Sequence, residues 1–304
     1  MDISVVIVTH RPYEEIHDTI RTTIIQECCD FEIILVLNSP AVFLSDNEKI
    51  IIKKLDGNYG AVARNEGIAI AKGKYIVCID DDIEFENAFQ LNYILKYMEN
   101  NPDVFAASFK VLTPSGGLDH YSWCHPRDRF EYCDKEFETY HISEGAVVFR
   151  RKTFDILGEA YFMPLFIGHE GGDLALRMIN NGLKIMYFPG VKVIHKKSDI
   201  GRPHGRAYYY LTRNGIWVSW KNLPWHYAIY YTLRTLALMF FFSFRSSGLL
   251  AYFKGVKDGI FGLPMIFKVR NPINGNAITK LKEISNFKPS FASRLYFHIK
   301  EKVQ

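Results

Sequence analysis

The stretch KYIVCIDDDIEF, residues 74–85, decides the fold. Its first half is a nearly unbroken apolar run, the pattern of a strand covered on both faces. Asp80, Asp81 and Asp82 follow at once. They therefore stand just past the carboxyl end of a buried strand, where open α/β sheets bind ligands. Crowded carboxylates repel, so something positive has to meet them. A hard divalent cation, Mg2+ or Mn2+, is the natural counter-charge. In extended backbone neighbouring side chains point to opposite sides, which puts Asp80 with Asp82 and turns Asp81 elsewhere. A solvated acidic turn is the plainer reading, and the apolar run before it argues against that.

The same strand grammar recurs outward from this point. ISVVIV (3–8) and FEIILVL (31–37) are continuous apolar runs, and IIIKKL (50–55) is a shorter one. A helical pattern occupies 13–27. GAVARNEGIAIAKG (60–73) carries small and apolar residues at helical spacing, with Gly73 as the expected C-cap. Strands alternating with helices predict an α/β fold, a mostly parallel sheet flanked by helices. The opening MDISVVIVTH has no basic n-region and no long apolar core, so it reads as a strand rather than a signal peptide. Five cysteines (28, 29, 78, 124 and 133) show no regular framework, which predicts reduced thiols and a cytosolic setting.

Three segments, in order, carry a resemblance. They are VVIVTHRP (5–12), NYGAVARNEGIAIAKGKYIVCIDDDIEF (58–85), and GAVVFRRKTFDILG (145–158) with GHEGGDLALRMINNGLKIMYFPGVKVIH (168–195). Together they resemble the family 2 glycosyltransferases with a GT-A fold, over roughly residues 1–220, and within them the rhamnosyltransferase-like members. The resemblance implies a metal-dependent, inverting transfer from a nucleotide-diphosphate sugar to an acceptor hydroxyl. The implied donor is UDP-, dTDP- or GDP-linked, and the implied cofactor is Mn2+ or Mg2+. Asp82 matches the metal ligand of an Asp-x-Asp motif, Asp80 the carboxylate near the metal or the ribose, and Asp81 lies beside the donor. His195, ending the strand VKVI, matches a histidine that coordinates the metal or lies near the diphosphate; a satisfied strand-end histidine is the alternative. Arg64 and Asn65 match the family's Ala-Arg-Asn beside the nucleotide, with Asn65 read as a cap or turn residue. Thr9 and His10 end the first strand, where backbone groups of the family embrace the base.

Two positions depart from that pattern. Where the family has Val-Asp-Asn after its second strand, this chain has VLNS, so Leu37 stands in place of the base-contacting acid and Asn38 is the substitute. Where the family has Glu-Asp-x-Asp-Leu, this chain has EGGDL, so Gly171 replaces the acid that deprotonates the acceptor. Inverting transfer needs a carboxylate on the face opposite the leaving group. Glu170 and Asp173 remain, with Glu170 preferred and Asp173 expected to pair with Arg177 four residues on. Glu144, in SEGAVVF (143–149), is a weaker candidate. The same departures motivate an alternative, a non-catalytic relative that binds nucleotide-sugar or a partner enzyme. A nucleotidyltransferase would carry a glycine- and lysine-rich phosphate loop near the start, which VTHRPYEE does not offer.

An insert over 119–141 supplies His120, Cys124, His125, Cys133 and His141. Their spacing matches no familiar zinc pattern, so it reads as a variable loop on the acceptor side, its aromatics packing or stacking on a sugar. From Lys184 to Arg270, fourteen Lys and Arg face two acids, Asp199 and Asp258. Such a surplus invites phosphate, lipid head groups or nucleic acid. No recognised nucleic-acid module accompanies it, so nucleic acid is not an expected partner. HYAIYYTLRTLALMFFFSF (226–244) is long enough to span a bilayer, but Arg234 stands at its middle. With Trp217, Trp220, Trp225, Lys221 and Arg245 it reads as an interfacial helix, and 248–267 as a second amphipathic piece. The expectation is a transferase domain over 1–220 and a membrane-associated helical segment over 221–304, its residues 271–304 peripheral. That places the protein in the cytoplasm, on the inner face of the cell membrane, acting on a saccharide or lipid-linked acceptor in surface polysaccharide assembly.

Overall fold

The computed structural model describes residues 1–27, 30–38, 45–196 and 205–285. Of the residues singled out above, Cys28, Cys29, Lys197 and Arg202 in the basic count, Asp199 and the segment 286–304 lie outside them. The apolar runs become strands β1 (Ile3–Thr9), β2 (Phe31–Leu37), β3 (Ile50–Lys54) and β4 (Tyr75–Asp80). They lie parallel in the order β3-β2-β1-β4. Helices α1 (Tyr13–Ile24) and α2 (Arg64–Ile70) make crossovers between them. Period-two alternation splits each strand between two cores. Val5, Ile7, Ile33, Leu35, Val77 and Ile79 pack with Ile16 and Ile20 of α1. Val6, Ile34, Val36 and Cys78 face the other way. Burial on both faces is why these strands read as unbroken apolar runs. The helix expected to run to Gly73 stops earlier: after a 3-10 turn at Gly60–Ala63, α2 ends at Ile70 and Ala71 turns extended with ψ 136°.

Beyond β4 the sheet becomes mixed. Strand β5 (Ile83–Phe85) and helix α3 (Gln90–Asn100) come next, then β6 (Val104–Leu112), α4 (Arg129–Tyr132), β7 (Phe137–Glu138) and β8 (Ala146–Arg150). Helices α5 (Lys152–Leu157) and α6 (Glu170–Asn180) lead to β9 (Lys184–His195). The order continues β4-β8-β6-β9-β5, with β7 also on β9. β8 runs antiparallel to both β4 and β6. The chain leaves β6 and enters β8 at the same end of the sheet, so no crossover helix intervenes and the strand must reverse. The parallel pattern therefore holds for the first four strands and for β6 with β9. In the insert, His125 is buried against Trp123 and Tyr187, with ring centroids 5.1 and 4.7 Å away. Burial pushes its imidazole down to about 3.

Among the described residues five helices follow β9: α7 (Arg206–Asn222), α8 (Trp225–Arg245), α9 (Leu249–Phe261), α10 (Leu263–Lys268) and α11 (Gly275–Ser285). The boundary expected between 220 and 221 is not a break in packing. Ile216, Leu223, Ala228, Ile266 and Ala277 share one core with Leu174 and Met178 of α6. Residues 271–285, expected as peripheral, bury Ile273, Ala277 and Ile284. Trp217 and Lys221, expected at a membrane interface, are interior instead. Trp217 Nε1 donates to the Gly259 carbonyl at 3.0 Å, and Lys221 Nζ donates to Asp173 at 2.6 Å. The outer faces of α8 to α10 are another matter. Phe244 is 67% exposed, Leu250 89% and Phe261 75%, and Arg234 is exposed among them.

Candidate active site

A cavity of about 580 Å³ opens at the carboxyl ends of β1 and β4, the place the topology predicts. One wall is the aspartate tip. β4 ends at Asp80, and residues 81–82 form a turn before β5. The strand alternation expected for the three acids therefore fails. Asp81 and Asp82 share a side: Arg11 Nη2 lies 3.5 Å from Asp81 and 3.3 Å from Asp82. Asp80 alone pairs with Arg64. Thr9 Oγ1 donates to Asp81 at 2.7 Å. Burial lifts Asp81 to about 6 despite that hydrogen bond and Arg11. Burial also opposes the charge on Asp82, but His195 and Arg11 outweigh it and hold the carboxyl at about 2.

His195 sits at the end of β9, held by hydrogen bonds on one side of its ring. Its Nδ1 is 3.0 Å from Asp119 and 3.3 Å from the Ser122 hydroxyl, while Nε2 faces Asp82 Oδ1 at 3.5 Å. Burial lowers its pKa, and hydrogen bonds with Asp82 and Asp119 more than reverse this, so the net shift is upward. The expected three-ligand set of Asp80, Asp82 and His195 does not form. Among the described residues no three His, Cys, Asp or Glu groups converge on a metal position, because Asp80 is drawn to Arg64. The remaining pair still fits a divalent ion. One carboxylate and one imidazole, its far nitrogen anchored on a buried acid, suit Mn2+ when phosphate oxygens complete the shell.

Two carboxyls line the same cavity beside the β4 tip, where the Asp80 N–H donates to the Gly145 carbonyl at 3.2 Å. Glu170, 1% exposed, is the first residue of α6, and Glu144 precedes β8. The two carboxyls lie close enough to act on each other's charge, and the Gly171 N–H donates to Glu144. Burial raises both; Glu144 is raised further by the charge of Glu170, and Arg64 opposes the shift in each. Oε2 of Glu170 is buried with no hydrogen-bond partner among the described residues.

Asp173 is not brought to the cavity. Fully buried behind it, its carboxylate takes Arg177 Nε at 2.9 Å, Lys221 Nζ at 2.6 Å and Asn222 Nδ2 at 2.7 Å. The i,i+4 pair with Arg177 forms as the spacing suggests. Asn38 reaches the cavity but is engaged in shaping it: Nδ2 donates to the Gly60 carbonyl at 2.9 Å, and Oδ1 accepts from the Tyr59 amide at 2.7 Å. Asn65 clamps the backbone of Tyr161 from both sides, at 2.6 and 2.8 Å. Thr9 lies behind the acids, whereas His10 lines the opening, its pKa lowered by burial and then by Arg11 and Arg206.

Sequence reasoning missed two residues. Arg11, directly after VVIVTH, is a cation just past a strand end, and the fold brings it beside the acid cluster. Asn214 gave no signal. It is buried in α7 and its amide donates to the carbonyls of Leu165, Ile167 and Gly168 at 2.9, 2.8 and 2.7 Å. That loop carries Glu170, and two of its non-glycine residues, Phe166 and His169, hold positive φ of 64° and 70°. Such conformations cost about 1–3 kcal/mol each and persist where surrounding bonds enforce them.

The sequence profile of Glycosyl transferase family 2 matches residues 4–158. A protein of Methanocaldococcus jannaschii, described as the uncharacterized glycosyltransferase MJ1057, is 32% identical over 114 residues, 34% of this chain and 39% of that one. S. aureus TarS 1–349 in complex with UDP-GlcNAc superposes over 94% of this chain and 91% of that one, with TM-score 0.57 and 13% identity. GalNAc-T7 with UDP, GalNAc and Mn2+ superposes over 76% and 49%, with TM-score 0.57 and 16% identity. This chain thus spans 39% of the curated relative and about half of GalNAc-T7. What it shares with both solved structures is the GT-A fold.

Proposed function

The chain belongs to glycosyl transferase family 2, and from that premise we propose that it moves a sugar, with inversion, from a nucleotide-diphosphate donor to an acceptor hydroxyl, aided by Mn2+ or Mg2+. One observation carries the reading: a single cavity is lined by Arg11, Arg64 and the aspartates together with the Glu144 and Glu170 carboxyls. A diphosphate needs the first group, and deprotonation of an acceptor needs the second. The UDP in the TarS and GalNAc-T7 structures favours a UDP-linked donor as the first to test. Asp82 and His195 would hold the ion, and Asp80, fixed by Arg64, would face the ribose. The chemistry such an ion supplies is neutralisation of the departing diphosphate. Glu170 receives the acceptor proton. Thermal-shift titration with UDP-, dTDP- and GDP-sugars, with and without Mn2+, tests donor binding, because a bound ligand raises the melting temperature by mass action. Asp82→Ala should lower metal-dependent donor turnover about a hundredfold; near-normal turnover removes Asp82 as a ligand.

The acceptor is read as a saccharide on a lipid carrier, at the cytoplasmic face of the membrane. The apolar outer faces of α8 to α10 support this, with Arg245, Lys254, Lys257 and Lys268 beside them. α8 is long and apolar enough to cross a bilayer by length and composition, and 11% of its most apolar window is buried. The exposed Arg234 at its centre favours lying in the interface over spanning. The full chain should float with vesicles containing phosphatidylglycerol and lose that behaviour in Phe241→Glu/Phe244→Glu. Equal flotation of both proteins would sink this assignment.

A further inference from the structure

Resting on the transferase reading, we propose that the base is a two-carboxyl unit, Glu144 with Glu170, in which Glu144 occupies the space that Gly171 leaves beside Glu170. The two acids come from different elements, the approach to β8 and the first turn of α6. Glycine at 171 is what lets them meet. A Cβ there would collide with Oε1 of Glu144 and sit 2.6 Å from its Cγ. Without a side chain at 171, the Glu144 carboxyl lies against the helix start and takes the Gly171 N–H, where the helix dipole favours negative charge. The sequence left position 171 without an acid; in three dimensions Glu144 fills that volume.

Two buried carboxyls this close do not both ionise, so the pair holds one proton and one charge. Its acceptor toward substrate is the Glu170 carboxyl, on a residue that lines the cavity and whose buried Oε2 has no hydrogen-bond partner among the described residues. A substrate hydroxyl is the group that would satisfy it. In the step, the acceptor O–H proton passes to the Glu170 carboxyl and the acceptor oxygen forms its bond to the anomeric carbon. The anomeric C–O bond to the donor breaks, and its electron pair leaves on the diphosphate. The pair, now carrying two protons, returns one to water. Glu144 acts through Glu170 as the positioning and charge-sharing partner.

The test uses the full-length chain with the donor identified by thermal shift, and donor hydrolysis or transfer as the assay. Glu144→Gln keeps the shape but cannot share the charge. It should lower kcat about a hundredfold while the donor KM stays within about threefold. Glu144→Ala should fall at least as far, and Glu144→Ala/Gly171→Asp, which moves the carboxyl onto the helix, should recover about tenfold over it. Circular dichroism and melting curves on each variant separate loss of fold from loss of chemistry. A Glu144→Gln protein with kcat near wild type overturns the pair, and so does a folded double variant no faster than Glu144→Ala. Failure of the wild type to bind any nucleotide-sugar overturns the transferase reading instead, whereas a turning-over wild type with a silent Glu144 overturns only the pair.

Discussion

The two walls of the cavity hold acids in opposite ways. At the tip of β4 each aspartate meets positive charge from the chain itself: Asp80 meets Arg64, and Asp81 and Asp82 meet Arg11. At Glu144 and Glu170 no ion pair is found among the described residues, and burial raises the pKa of both. Three residues along α6 the first pattern returns, where Asp173 is saturated by Arg177, Lys221 and Asn222. Matched charges fix geometry; buried acids without an ion pair have raised pKa values and are suited to exchange a proton with a substrate. Neighbours, rather than residue type or exposure, separate a binding acid from a chemical one.

The largest test of that contrast is removal of a matched acid. Asp173→Ala leaves Lys221 buried without its partner, and burial already lowers the Lys221 pKa. Stripping one member of a buried pair costs about 3–5 kcal/mol. Because Asp173 ties α6 to α7, that loss should appear as a large drop in the urea midpoint. A midpoint equal to wild type, with activity gone, would move Asp173 back into the chemistry.

The converse substitution falls on the unmatched wall. Glu170→Gln keeps the side chain's size and should lower kcat about a thousandfold, about 4 kcal/mol of transition-state stabilisation. Its donor affinity, measured by calorimetry, should stay within about twofold, because the proposed donor contacts are Arg11, Arg64 and the aspartates. A large loss of donor affinity would show that the walls are not separate in function.

How far this contrast was legible in the sequence follows from the same physics. β1 to β4 were readable because strands buried on both faces write themselves as apolar runs. β6 was not picked out, since VFAASFKVL mixes small and polar residues where it packs against β8 and β9. Glu170 and Asp173 were visible as the two acids of EGGDL, but which one is matched depends on Lys221 and Asn222, about fifty positions away. The same is true of the aspartates. Their need for counter-charge was plain, and the expected cation was a metal; Arg11 and Arg64 do part of that work, and only the fold shows it. Helix α7, whose Trp217 was read as facing a membrane, instead lines the site through Arg206, Ala207, Tyr210 and Leu211, because a buried tryptophan and a surface one look alike in a string.

The smallest expected effect lies farthest from the chemistry, at Asn214. Its amide holds three carbonyls of the loop that leads into Glu170, and α7 thereby sets where the unmatched wall stands. Asn214→Ala removes those donors and leaves buried carbonyls unpaired, a cost of about 1–3 kcal/mol in stability. With the positive φ at Phe166 and His169 no longer enforced, the loop should relax and Glu170 lose its placement. The aspartate wall rests on β1, β4 and β9 and makes no use of Asn214. Accordingly kcat should fall about tenfold while the nucleotide dissociation constant is unchanged. Equal losses in both would mean that α7 supports the two walls together, and the division between them would have to be redrawn.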